Sequence, residues 1–357
     1  MIRRALPALL AGLAALAAGA ASATDSVRIG YIPTTTVQAQ IAHTLDRTDI
    51  LANNDLEGEL ILFNSSPAVN EALVSGAIDI GFASDFAAIT VMASGAPVVA
   101  IGHQSAFRGA IMSTTPEIDA LDKLAGTQVY GLFGVTVYQS AIEMVQEAGL
   151  EAGSDVSFVN IGFSELADAV RAAQVDAFFT WDPWIAFFEK QGVATTLGED
   201  IAPTMVIMAR SDFVEENPEV VKRFLRAHAE ALYWAGQNAG ITNEWFRIPE
   251  AARQIDVDVI ATASDFDPNW TAESFEDIRI GFSSEQVERL RALSQFTVDN
   301  GLAPRLAPID TSVITDLGDA VETAKADAPF DASAVQVLGR WQPAQRRTTS
   351  SRRSTPR

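Results

Sequence analysis

Along residues 27 to 45, VRIGYIPTTTVQAQIAHTL, the apolar positions change rhythm twice. A short apolar run reads as a strand, the threonines as a loop, and the remainder spaces its apolar residues as a helix does. Residues 128 to 145, QVYGLFGVTVYQSAIEMV, repeat that order. A second pair also matches: FNSSPAVNEALVSGAIDIGFASDF (63 to 86) and VNIGFSELADAVRAAQVDAFFTWDPW (159 to 184). In each, a strand ends in Asn, a serine-containing loop opens a helix, and a small turn leads to Asp and another apolar strand. Asn64 and Asp79 align with Asn160 and Asp176, offsets of 96 and 97. One βαβ plan is used twice, which predicts an α/β protein of two lobes, each a mostly parallel sheet flanked by helices. Right-handed crossovers are expected throughout.

Between the halves, APVVAIGHQSAFRGAIMSTT (96 to 115) holds two strand-like runs separated by a polar stretch, and PTMVIMAR (203 to 210) mirrors it later. The chain is therefore expected to cross between lobes twice, near 107 and near 210. Residues 24–106 then form the first part of lobe 1, 107–210 form lobe 2, and 211–340 return to lobe 1, mostly as helix. In SDFVEENPEVVKRFLRAHAEALYWA, Ser211 or Asn217 can cap and Pro218 suits a first helical position. Val220, Val221, Phe224, Leu225 and His228 share one face.

The first 23 residues combine two arginines, an uncharged Ala/Leu run and the small residues Ala21-Ser22-Ala23, the pattern of an export signal cleaved after Ala23. That leaves 334 residues (357 minus 23), ample for two cores. The stretch 341–357, basic and without apolar periodicity, is expected to be disordered. Cysteine is absent, which removes disulfides, thiol nucleophiles and thiolate metal sites together. The net charge is −21, and −23 without Arg3 and Arg4, which argues against nucleic acid as a partner. A distant negative field does not forbid an anionic ligand, because local N–H groups can outvote it.

In open α/β sheets ligands bind where strand ends lead into helix N-termini. Those loops carry Tyr31, Thr34, Thr35 and Thr36, then Asn64, Ser65 and Ser66, then Ser84 and Asp85. The second half supplies Thr136 and Tyr138, then Trp181 and Asp182. Each Ser, Thr or Asn taken alone reads equally as a helix cap. Five such loops facing one cleft make a site for a small anion or zwitterion. Signatures of nucleotide binding, serine hydrolysis and zinc proteolysis are missing, and His43, His103 and His228 are scattered. No cofactor, metal or catalytic residue is expected.

Several stretches together resemble the periplasmic substrate-binding proteins of ABC importers, in the branch serving taurine, aliphatic sulfonates and nitrate. They are VRIGYIP, ALVSGAIDIGFAS, LAGTQVYGLFGVTVYQSAIEMVQEAGL, the 159 to 184 segment and ARSDFVEENPEVVKRFLRA. The resemblance implies a type II-like periplasmic binding protein, a monomer that closes about two hinge crossings and passes its solute to an inner-membrane permease and ATPase. Taurine or a related sulfonate is the expected solute. A nitrate-type ligand, or a binder or enzyme for a thiamine-pyrimidine-like compound, is the alternative. Asp182 is expected either to receive a cationic end of the ligand beside Trp181 or Trp184, or to cap a helix. Arg108 is expected either to take the anion or to pair with Asp182 or Asp85. Phe107, Tyr31 and Tyr138 are candidate walls.

Overall fold

The computed structural model describes residues 24–201 and 203–339, so the expected export signal and basic tail lie outside the described residues. The first lobe opens with β1 (Asp25–Tyr31), α1 (Thr36–Arg47), α2 (Ile50–Asn53), β2 (Leu56–Leu62), α3 (Ser66–Val74), β3 (Ile80–Ser84), α4 (Asp85–Ser94) and β4 (Val98–Ala106). The second holds β5 (Gly109–Ser113), β6 (Gln128–Gly131), α5 (Thr136–Glu147), β7 (Ser157–Asn160), α6 (Phe163–Arg171), β8 (Ala177–Trp181), α7 (Trp184–Gln191) and β9 (Thr195–Asp200). Then come β10 (Thr204–Arg210) and seven helices: α8 (Ser211–Glu216), α9 (Pro218–Gln237), α10 (Ala239–Phe246), α11 (Val257–Ser264), α12 (Ser284–Asp299), α13 (Ile309–Ser312) and α14 (Asp316–Ala324).

Each lobe is built on a five-stranded sheet, ordered β2-β1-β3-β10-β4 and β7-β6-β8-β5-β9. Strands β1, β2 and β3 pair in parallel, as do β6, β7 and β8. One strand in each sheet runs the other way: β10 is antiparallel to β3 and β4, and β5 is antiparallel to β8 and β9. Four of the five strands in each sheet run the same way, as expected of mostly parallel sheets, and a single strand in each is reversed. The reason is mechanical, since a strand that enters a sheet from the crossing must run away from it, while the βαβ strands run toward it.

The crossings themselves are short. The first is Phe107–Arg108, between β4 and β5, as expected. The second falls between Asp200 and Thr204, not near 210, because β10 already belongs to the first sheet. The two run side by side, the Phe107 N–H donating to the Pro203 carbonyl at 3.1 Å.

Alternation along the strands fixes which helices cover which face. Ile80 and Phe82 of β3 pack with Ile29, Ile207, Phe224 and Leu225, under α1 and α9, whereas Ala83 joins Val69 and Leu73 of α3. Pro218 opens α9, and all five residues of its predicted apolar face are buried. The duplicated plan is visible element by element: α1 begins at Thr36 and α5 at Thr136, 100 residues later.

Candidate functional site

Strand ends of both sheets meet at a cavity of about 30 Å³ between the lobes. From the first lobe it is lined by Ile32, Thr35, Asn64, Ser65, Ser66, Ser84 and Met205, and from the second by Leu132, Val135, Thr136, Val137 and Trp181, with Phe107 of the crossing. Among the described residues the lining carries no charged side chain.

Four helices begin around it, and they are not alike. Ser65 caps α3, its hydroxyl accepting from the Ala68 N–H at 3.4 Å, and Ser84 caps α4 by accepting from Ala87 at the same distance. Ser66 is also engaged, accepting from the Ser84 N–H at 3.0 Å. Helices α1 and α5, the matching elements of the two halves, have no side-chain cap: their N-cap residues are Thr35 and Val135, both in the lining. A helix N-terminus carries unpaired N–H groups and roughly half a positive charge. Two of them, one per lobe, at one cavity between apolar walls suit a compact anion bearing a short apolar group.

Eight of the fifteen candidate residues reach this lining: Thr35, Asn64, Ser65, Ser66, Ser84, Phe107, Thr136 and Trp181. The other seven stand outside it. Tyr31 is core, edge-on to His43 at 5.9 Å. Thr34 contributes its carbonyl, which accepts from the indole N–H groups of Trp181 (3.0 Å) and Trp184 (3.1 Å) across the cleft. Thr36 is buried in the first turn of α1. Tyr138 stacks on Phe133 at 4.1 Å within an aromatic group that includes Phe86 and Phe179.

Asp182 and Arg108 take each other. The guanidinium donates through Nε at 2.8 Å and through Nη2 at 3.1 Å, a two-point fork, while Asp182 is wholly buried. Asp182 also accepts from the Ala186 N–H of α7 at 3.3 Å, and Arg108 reaches Glu199 at 3.1 Å. Burial raises the Asp182 carboxyl above its ordinary value, and the Arg108 fork opposes that rise. The arginine face also covers the Phe266 ring at 4.8 Å. The pairing and capping alternatives therefore describe these two residues, and Asp182 offers no free carboxylate to the cavity. Asp85, the seventh, is likewise buried and bonded within the protein, to Thr136, Thr204 and the Phe86 N–H.

Sequence reasoning missed Ile32, Leu132, Val135, Val137 and Met205. The 100-residue repeat contained the signal: Leu132 and Val135 hold the places of Ile32 and Thr35. A roomier opening of about 300 Å³ nearby is lined by Glu143, Glu147, Glu199 and Asp200 against one arginine, Arg289. That charge repels an anion, so the smaller cavity is the candidate site.

The family model described as NMT1/THI5 like matches residues 51–239, more than half of the chain. The chain belongs to the NMT1/THI5-like family. Within that family's wider kin, the taurine-binding periplasmic protein of Escherichia coli (strain K12) is 26% identical over 196 residues, 53% of this chain and 59% of the relative. This chain thus spans well under two thirds of that relative's length. The putative aliphatic sulfonates-binding protein of the same strain is 25% identical over 240 residues, 65% of this chain and 73% of the relative. Among solved structures, the alkanesulfonate-binding protein of Xanthomonas axonopodis pv. citri bound to MOPS superimposes with a TM-score of 0.67. It shares 16% identity and covers 81% of this chain and 97% of its own. This NMT1/THI5-like chain therefore has the two-lobed periplasmic-binding-protein fold.

Proposed function

We propose that the protein is the extracytoplasmic solute-binding component of an ABC importer, capturing a small organic anion between its lobes and delivering it to a permease. The observation that carries this is the pair of uncapped helices, α1 and α5, facing one cavity from opposite lobes. Relatives named for taurine and sulfonates support the solute class. An alkanesulfonate ranks ahead of taurine, because Asp182, the carboxylate expected to hold an ammonium, is committed to Arg108. Relatives named as binding proteins support binding over turnover, and the lining hydroxyl that meets a carboxylate, Thr136, is buried against Asp85. At about 30 Å³ it has room for only a few atoms, so a sulfonate enters only as the lobes part.

The test is a thermal-shift and calorimetric screen with ethanesulfonate, taurine, nitrate, sulfate and an aminopyrimidine. Ethanesulfonate at 100 times its Kd should stabilise by about 2.7 kcal/mol. Asp182→Asn should lower the starting stability but keep that shift. A shift with the pyrimidine and with no anion would overturn the reading.

A further inference from the structure

The carboxylate of Asp85 is completely out of water, which costs several kcal/mol unless it is paired and hydrogen-bonded. Its partners come from four segments. The Thr136 hydroxyl of α5 donates to Oδ1, the Thr204 hydroxyl of β10 donates to Oδ2 at 2.8 Å, and the Phe86 N–H of α4 donates at 2.7 Å. The Arg289 guanidinium of α12 lies at 3.6 Å. Three of these belong to the first lobe with Asp85 itself, while Thr136 alone comes from the second.

Thr136 has two other roles at this place. It lines the cavity, and it is the first residue of α5, the second-lobe helix that opens at the cavity without a side-chain cap. Its hydroxyl also accepts from the Phe86 N–H at 3.3 Å, so it is held twice by the first lobe. The duplicated plan supplies a contrast: Thr36, the matching residue of α1, has a buried hydroxyl with no hydrogen-bond partner. The carboxylate contact therefore belongs to one half only and is not a by-product of the repeat.

We propose that Asp85 is a positioning residue that latches the cleft, its bond to Thr136 forming as the lobes close and breaking before a bound anion leaves. This rests on the solute-binding reading of the cavity. A buried carboxyl is costly to leave without a partner, and this hydrogen bond joins the lobes beside the first turn of α5. Closing removes the carboxylate's last contact with water and replaces it with the Thr136 hydroxyl. Desolvation, the largest influence on Asp85, is opposed by Arg289 and by the three donors, of which only Thr136 departs on opening. Losing the latch should leave the shape of each lobe intact and change how long they stay together.

The absence of cysteine allows spin labels to be placed at Glu71→Cys on α3 and Ser164→Cys on α6, both exposed. Inter-label distances are then measured without ligand and with ethanesulfonate, alongside ethanesulfonate dissociation rates. Asp85→Asn and Thr136→Val should each shift the population to longer distances and speed dissociation about tenfold, equivalent to about 1.4 kcal/mol. The double variant should open no further than either single one. Thr204→Val, which removes a donor from Asp85's own lobe, should lower thermal stability without lengthening the distance. Unchanged distances and dissociation in both Asp85→Asn and Thr136→Val, with only the melting temperature reduced, would overturn the latch. Because the ligand-free distances need no ligand, a latch that opens as expected in a protein binding no anion would sink the solute reading instead.

Discussion

Three histidines sit where no proton can reach them cheaply. His43 and His228 are pushed down to about 3 and His103 to about 4, in each case chiefly by burial. His228 shows why: it lies against the rings of Phe82 and Phe224 with neither ring nitrogen hydrogen-bonded. The unfolded chain takes up protons on these groups below about pH 6.5, and the folded one does not. Stability is therefore full above that pH and falls as the pH drops toward 4. Asp267, pushed up to about 6 by burial, acts in the opposite sense, because the folded state binds its proton first. At pH 5 the histidines together cost about 6 kcal/mol and Asp267 offsets about 1, on the order of a whole domain's stability. Urea midpoints at pH 7.5 and pH 5 should differ accordingly, and His228→Leu should flatten the slope by about one proton. A midpoint independent of pH would refute the account. The sequence disclosed that these histidines were scattered but not that all were buried, since the apolar faces around them come from distant segments. For Asp182 and Arg108 the right alternatives were legible, and only the fold could choose, because 74 residues separate the partners.

At the scale of elements, the loops at the strand ends were readable as loops, and some of their hydroxyls line the cavity between the lobes while those of Thr34 and Thr36 do not. What the sequence could not distinguish was a serine that caps its own helix from one that leaves the amides free. Ser65 and Ser84 do the first, while α1 and α5 are left open by Thr35 and Val135. This difference has a measurable consequence. Thr35→Asp places a carboxylate at an N-cap, where it should stabilise α1 by up to about 1 kcal/mol. It also puts a fixed negative charge where the solute's own charge belongs. Unfolding measurements should show an unchanged or higher midpoint, and ethanesulfonate affinity should fall at least 100-fold. Retained affinity would mean that the α1 amides do not hold the anion. The strand direction of β5 and β10 was likewise invisible, as it follows from the path of the crossings and not from any local pattern.

The repeat gave the two-lobed plan of the whole molecule, and the position of the return crossing was the part that it misjudged. The lobes touch at several points besides the latch: Gln146 of α5 donates to Asn300 at 2.9 Å, and Lys190 of α7 reaches Asp258 at 2.8 Å. Beneath the first crossing, Asp267 accepts from the Ala106 N–H at 2.9 Å, which fixes the end of β4 while β5 begins the other lobe. The net charge of −21 is carried outside the cavity, whose described lining holds no charged side chain. One contact between the lobes also makes the molecule its own optical gauge. The indoles of Trp181 and Trp184 share the Thr34 carbonyl and are nearly or fully sealed from water. Parting the lobes breaks both bonds and wets at least one ring, so the ultraviolet emission of an unlabelled sample should shift to the red on opening and to the blue as a solute draws the halves together.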